Sequence, residues 1–265
     1  MRGAGHQAYL VGGSLRDLLL DRTPVDWDLA TDALPRDVTA LFPGSTAVAR
    51  YGTVLVPLDG PPGEVEVTTF RRDHRYGDHR RPDTVTFTTS LEEDLARRDF
   101  TINAMALGPH GLVDPHRGRA DVAHRLVRAV GEPAARFDED ALRLLRAVRL
   151  AAVLDFQLEA RTEAALVAAA PLLRHVSGER RGQELRRLLE ARPPSRGLRL
   201  LEATGLLEAL SPDLAAQRGV PQAKVPGDDL WAHTLRTVDA AADLAPGDPV
   251  LIVAALLHDV GKPST

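Results

Sequence analysis

Asp26 and Asp28 stand one residue apart, shortly after Gly12-Gly13-Ser14-Leu15-Arg16-Asp17, a glycine turn leading into a short amphipathic helix. In a β-strand, residues i and i+2 project from one face, so both carboxylates can converge on one divalent cation while Trp27 points the other way into a core. That arrangement suits metal-assisted phosphoryl chemistry. Surface strands also alternate acidic and apolar residues, so the pair alone leaves an ordinary solvent-facing strand open. The glycines shift the balance. A Gly-Gly turn lets backbone N–H groups approach a phosphate closely, and Arg16, one helical turn further on, adds a planar cationic fork.

The elements that must carry these residues are mixed α/β. Tyr9-Leu10-Val11 and Trp27-Asp28-Leu29-Ala30 are strand candidates, with a helix from about Ser14 to Leu20 between them. Asp32 or Thr31 can cap a second helix that starts near Pro35 and ends by Pro43. Thr53-Val54-Leu55-Val56-Pro57 and Glu64-Val65-Glu66-Val67-Thr68-Thr69 flank a Gly/Pro turn and predict a hairpin, with Glu64, Glu66 and Thr68 on one face. Phe70 to Asp83 is polar, basic and without period, which predicts a mobile loop. From about Glu139 onward Ala, Leu, Glu and Arg recur at helical spacing, broken at Pro171, at Pro193-Pro194 and near Pro221 to Pro226. Within this all-helical half Asp140, Arg143, Arg146 and Arg149 recur every three residues and predict one slowly drifting stripe, with Leu142, Leu144, Leu145 and Val148 packing the opposite face.

With 265 residues, 44% hydrophobic and 26% charged, the chain has ample material for one large or two modest domains. No apolar run reaches the roughly 18 residues that span a bilayer, and the N-terminus leads into no signal-peptide core, so the protein reads as cytoplasmic with no membrane partner. Zero cysteines exclude disulfides and thiolate zinc sites. The net charge of −4 conceals arginine-rich stretches at Arg71 to Arg81, Arg143 to Arg149 and Arg180 to Arg187, which a polyanion can bind.

Five segments occur in a fixed order: Tyr9-Leu10-Val11-Gly12-Gly13-Ser14-Leu15-Arg16-Asp17, Asp26-Trp27-Asp28-Leu29-Ala30-Thr31, Glu66-Val67-Thr68-Thr69-Phe70-Arg71, Arg97-Arg98-Asp99-Phe100-Thr101-Ile102-Asn103-Ala104 and Glu139-Asp140-Ala141-Leu142-Arg143. Together they resemble the class II CCA-adding tRNA nucleotidyltransferases and the related bacterial poly(A) polymerases, from Tyr9 to about Glu190. The resemblance implies an α+β fold: a nucleotidyltransferase head with a small mixed sheet of five strands over residues 1–135, a helical neck over 136–195 that recognises the base, and a helical body over 196–265. It also implies the activity, addition of CMP and AMP from CTP and ATP to the 3′ end of tRNA. In that chemistry a 3′-hydroxyl attacks an α-phosphate, pyrophosphate leaves, and two metal ions roughly 3.5–4 Å apart assist both ends of the displacement. Asp26 and Asp28 would be the metal ligands, and hard oxygen donors favour Mg²⁺. Glu66 would support them from a neighbouring strand, or else be an exposed strand glutamate.

The same resemblance gives Gly13 and Arg16 to the triphosphate, the alternatives being a plain strand-to-helix turn and an Arg16 pair with Asp17 or Asp21. Arg98 and Asp99 would contact sugar and phosphates, whereas Asn103 can equally be a structural hydrogen-bonding residue. Asp140 and Arg143 would read the base edge, with Arg146 and Arg149 continuing their stripe, the alternative being an exposed salt-bridged stripe, the usual reason for such spacing. An aspartate accepts from the exocyclic amine that cytosine and adenine share, and an arginine donates to the neighbouring acceptor. The basic loop, with Arg71, Arg72, Arg75, Tyr76, Arg80 and Arg81, is either a solvated connection or the family's element for accepting ATP, which counts against an enzyme adding only cytidines. Glu179 to Leu185 resembles a later neck motif with a structural role, although Gly182 inside a helix costs about 1 kcal/mol relative to Ala. His233 and His258-Asp259 look like the start of a truncated HD phosphohydrolase domain, whose ligand set His…His-Asp…Asp is incomplete here. Other readings are an A-adding enzyme, a poly(A) polymerase, an RNA-binding fragment without turnover, and an HD phosphohydrolase.

Overall fold

The computed structural model describes residues 1–48, 51–74, 84–222 and 227–264, and its backbone divides into two compact units, one ending at Glu132 and the other beginning at Pro133. Arg75, Tyr76, Arg80 and Arg81 of the basic segment lie outside the described residues.

The first unit runs β1 (Ala8–Val11), α1 (Gly12–Leu19), β2 (Asp28–Thr31), α2 (Pro35–Leu41), β3 (Thr46–Val48), β4 (Thr53–Pro57), β5 (Glu64–Thr69), β6 (Arg71–His74), β7 (Thr84–Phe87), α3 (Leu91–Ala96), β8 (Ala106–Gly108), β9 (Gly111–Val113) and α4 (Gly118–Ala123). Its main sheet has seven strands in the order β3-β4-β5-β2-β1-β8-β9 rather than five, and both edges are three-residue strands. Short edges limit pairing with other chains. β2 and β5 are parallel, and β1 lies antiparallel between β2 and β8. Alternation sends Leu29 and Val67 to a core with Val38, Val54 and Val56 under α2. The other face of β2 carries Ala30, fully buried among Val11, Phe70, Leu91, Leu95 and Ala106. Asp28 shares that second face two residues earlier, at the point where the strand emerges from this core.

Two local expectations need correction. α2 is capped by neither Asp32 nor Thr31: Asp37 accepts the Leu34 N–H at 3.2 Å, while Asp32 accepts from the Gln7 N–H at 2.9 Å. Residues 71–74 of the expected loop form a strand, because β6 finds an antiparallel partner in β7 that lies beyond any local period. The hairpin of β4 and β5 forms as expected.

The second unit is helical apart from the two-residue strand Gln157–Leu158: α5 (Pro133–Glu139), α6 (Leu142–Leu154), α7 (Ala160–Ala169), α8 (Gly178–Leu188), α9 (Ser195–Ala203), α10 (Leu206–Leu210), α11 (Pro212–Ala215), α12 (Leu230–Leu244) and α13 (Pro249–Leu257). α6 is buried nearly all round, with Leu144, Ala147 and Val148 each at 0% exposure, as a helix enclosed by others must be. Among the described residues, no helix is long and apolar enough to cross a membrane. α8 runs straight through Gly182, which is exposed and has open space where a Cβ would stand. Gly182→Ala is therefore expected to stabilise the protein by about 1 kcal/mol, through helix propensity alone. An unchanged or lower denaturation midpoint in urea would contradict this.

Candidate active site

The turn from β1 into α1 builds the floor of the site. Gly12 takes φ +73°, and a Cβ placed on it would come within 2.8 Å of Asp28 Oδ2 and 3.3 Å of Arg98 Nη1. A carboxylate and a guanidinium thus lie directly against the Gly12 Cα. At Gly13, the glycine singled out in the sequence, a Cβ would stand 3.4 Å from the Arg16 guanidinium. The signal for Gly12 was there to be used, since a glycine ending a strand and opening a helix is where positive φ is needed. The first N–H groups of α1 lack intrahelical partners and favour an anion. Ser14 fixes the turn to the sheet: its Oγ donates to the Val11 carbonyl at 2.7 Å and accepts the Asp28 N–H at 3.5 Å.

The acidic pair does not share a strand. β2 begins at Asp28, and its ladder reaches back only to the Trp27 carbonyl, which accepts the Glu66 N–H at 3.0 Å. Asp26 lies in an exposed bend, and Trp27 is half-buried rather than in a core. What the fold does pair is Asp28 with Glu66, in register across the parallel β2–β5 ladder and therefore on one face. Burial raises the Asp28 carboxyl above its ordinary range; Arg98 opposes this, Asp26 adds to it and Arg16 opposes it again. Glu66 is raised too, by burial and then by Asp28, Asp26 and Glu64. Carboxylates that repel one another, with only hard oxygen donors among them, fit a divalent cation. They are not gathered tightly, however. Among the described residues, the one trio of potential ligands whose donor atoms lie within 4.8 Å of one another is His233, His258 and Asp259 in the second unit.

The cations of the site are held by partners. Arg16 gives Nε and Nη2 to Asp17 Oδ1, at 2.9 and 2.7 Å, and Nη1 to Asn103 Oδ1 at 2.8 Å. Asn103 passes its amide to Asp99 Oδ1 at 3.2 Å, so its polar atoms link Arg16 to Asp99. Asp99 also accepts the Phe100 N–H at 2.8 Å and is buried. Arg98 donates Nη2 to Asp94 at 3.1 Å and Nη1 to the Asn103 carbonyl at 3.4 Å, and its buried Nε has no hydrogen-bond partner.

In the second unit Asp140 does not lie on the helix of arginines. It occupies the break between α5 and α6, where Oδ1 accepts the Leu142 N–H at 3.1 Å and Oδ2 accepts from Arg180 Nη2 at 2.8 Å. An aspartate just ahead of a leucine-rich run competes for the first helical N–H, which ends the preceding helix. Arg143 is nearly buried and donates Nη1 to the Arg136 carbonyl at 3.0 Å and to Glu139. Arg146 is half-buried, while Arg149 Nε donates to buried Glu184 Oε2 at 2.7 Å, tying α6 to α8. The histidines converge as well: His233 Nε2 lies 3.2 Å from His258 Nε2 and 3.6 Å from Asp259 Oδ2, which also accepts from Lys262 at 2.7 Å.

A small mixed sheet with a glycine turn, an N-terminal helix end and strand carboxylates defines a nucleotidyltransferase head, and comparison with known proteins agrees. The "Poly A polymerase head domain" family profile matches residues 8–128, and "Probable RNA and SrmB- binding site of polymerase A" matches 155–218. The CCA-adding enzyme of Geobacillus thermodenitrificans (strain NG80-2) is 52% identical over 204 residues, 76% of this chain and 50% of the relative. That of Geobacillus stearothermophilus is 50% identical over 215 residues, 80% and 52% respectively. The crystal structure of the Bacillus stearothermophilus CCA-adding enzyme in complex with CTP superposes with a TM-score of 0.72 at 36% identity, covering 96% of this chain and 75% of that one. The chain belongs to the family of CCA-adding enzymes and bacterial poly(A) polymerases. It spans about half the length of the curated relatives it matches.

Proposed function

We propose that this protein adds CMP and AMP, without a nucleic-acid template, to the 3′ end of tRNA from CTP and ATP, in the cytoplasm and with Mg²⁺ as the divalent ion. The observation that carries this reading is the convergence of Asp28 and Arg98 on the open side of Gly12, at the start of α1 and with Glu66 in register with Asp28. Asp28 and Asp26, supported by Glu66, would hold Mg²⁺, which when bound lowers the cost of charge at the attacking hydroxyl and at the departing pyrophosphate. The α1 N–H groups and Arg98 take the triphosphate oxygens, and Asn103 orients the Arg16 fork through its side-chain oxygen. Asp140 accepts the amine common to cytosine and adenine, and Arg143 donates to the adjacent acceptor. Similarity supports the same assignment: one relative of known structure, 26% identical, is a tRNA nucleotidyltransferase complexed with a primer tRNA and an incoming ATP analog.

Incubation with tRNA lacking its last three nucleotides and all four triphosphates is expected to add two C and one A, and no U or G. Absence of any extension overturns the reading. Extension only of tRNA ending in C-C marks an A-adding enzyme, long tails on generic RNA mark a poly(A) polymerase, and RNA binding without extension marks a binding module. Asp140→Ala is expected to erode the preference for CTP over UTP by roughly tenfold or more, the discrimination carried by one good base contact.

The convergence of His233, His258 and Asp259 favours a second reading for the helical unit, metal-dependent phosphohydrolase chemistry, since two imidazoles and a carboxylate suit a transition ion. Release of phosphate from p-nitrophenyl phosphate in the presence of Ni²⁺ or Co²⁺, lost in His258→Ala, is its expected signature. No release with either ion rejects it.

A further inference from the structure

We propose that Asp94, a residue in none of the roles above, is a positioning residue that aims Arg98 at the nucleotide and keeps it off Asp28; the proposal rests on the nucleotide-adding reading of the first unit. Asp94 lies on α3 with 0% exposure. Its Oδ1 accepts from Arg97 Nε at 2.9 Å, from Arg97 Nη2 at 2.7 Å and from the Arg71 N–H at 3.3 Å. Its Oδ2 takes Arg98 Nη2 at 3.1 Å. Only an ionised carboxylate can accept four donors without presenting one of its own. Burial would push this carboxyl up, but Arg97 and Arg98, by charge and by hydrogen bond, hold it below the ordinary carboxylate range.

The two neighbouring arginines are thereby sorted. Arg97 is drawn toward Asp73, 3.7 Å from Nη1, whose other oxygen accepts Arg71 Nε at 2.9 Å. Arg98 is held at Nη2 by Asp94 and more loosely at Nη1 by the Asn103 carbonyl, so that Nη1 lies against Gly12 on the side of Asp28 Oδ2. Without the negative charge behind it, Arg98 would be left with Asp28 as the carboxylate on its other side, and an arginine paired there competes with a metal ion. Through the Arg71 N–H the same carboxylate seats the first residue of β6, the strand that leads into the basic segment.

Three variants of the full chain, Asp94→Asn, Asp94→Glu and Arg98→Ala, test the proposal by initial rates against nucleotide and against Mg²⁺ concentration. In Asp94→Asn the half-saturating Mg²⁺ concentration and the KM for CTP are each expected to rise about tenfold, the worth of one charge-assisted hydrogen bond, with kcat changed less. Asp94→Glu keeps the charge and should fall within about threefold of the unaltered protein on the same scale. In the Arg98→Ala background neither change should add to the loss, because both act through Arg98. Losses that multiply, or a lowered melting temperature with both constants unchanged, overturn the proposal. If Asp94→Asn does not fold, the smaller Asp94→Glu effect is judged by the same rule. If the unaltered protein adds no nucleotide, the proposed function fails. Calorimetric binding of Mg²⁺–CTP then reads Asp94 alone: weakening by Asp94→Asn that vanishes beside Arg98→Ala supports it, and any other result, including no binding, overturns it.

Discussion

Asp28→Asn is expected to abolish nucleotide transfer, with a rate loss on the order of a thousandfold, and at the same time to raise the melting temperature of the metal-free protein at neutral pH. The first effect follows if Asp28 holds the metal as proposed, since among the described residues it is the strand position that the ladder pairs with a second carboxylate, Glu66. The second follows from the sign of the shift. Burial, then Asp26, lift the Asp28 carboxyl above its unfolded value, against the pull of Arg98 and Arg16. A carboxyl raised on folding contributes its stability below the unfolded value of about 3.9, and loses it as pH climbs through the raised value. At pH 7, where the unfolded chain carries the ionised group, the raised value costs the folded state stability that asparagine does not lose. Glu66 is shifted the same way, so added Mg²⁺ should stabilise the unaltered protein more than the variant. Calorimetry from pH 4 to 8, with and without Mg²⁺, checks both parts. An Asp28→Asn protein that melts below its parent at pH 7 without metal would sink the account.

Gly12→Ala carries the other large effect. A side chain at φ +73° costs about 1–2 kcal/mol, and the new Cβ would stand 2.8 Å from Asp28 Oδ2, so the carboxylate must move. A displacement of a reacting group by a fraction of an ångström to one ångström can cost roughly a hundredfold in rate, and that loss is expected here beside the lowered stability. Gly13→Ala is the control. Gly13 has no positive φ, and its new neighbour would be the flexible end of Arg16 at 3.4 Å, so a much milder loss is expected. Chemical denaturation and single-turnover rates for the two variants decide the matter, and a reversed order would be fatal to the argument.

Much of this arrangement was legible in the sequence where local periods carry it. The β1 strand, the helix after it, the β4–β5 hairpin and the apolar face of α6 all follow from alternation or helical spacing. Most of the misses arise where a partner distant in sequence, or a side chain competing with the backbone, decided the outcome. Asp26 drops out of β2 because the ladder with β5 stops at Trp27. Arg71 to His74 become a strand because Thr84 to Phe87 lie opposite. Asp140 leaves the helix because its own carboxylate takes the Leu142 N–H. Spacing also does not reveal which of two adjacent glycines takes the left-handed conformation, and here it is Gly12. Arg149, counted with the base-reading stripe, faces Glu184, a pairing that no pattern within α6 announces.

The parallel pairing of β2 with β5 also bears on the order in which the molecule folds. β4 and β5 join through a tight turn and can close locally, whereas bringing β5 beside β2 requires closure of a long loop that contains β3 and β4. Contacts of high sequence separation are slow to form, because the chain entropy is lost before they repay it. The step that sets Asp28 next to Glu66 is thus expected on the late side of the folding barrier. Pairing of Asp28 with Glu66 then marks the long-range closure of the sheet, and a cation held there as proposed is expected to slow unfolding rather than speed folding.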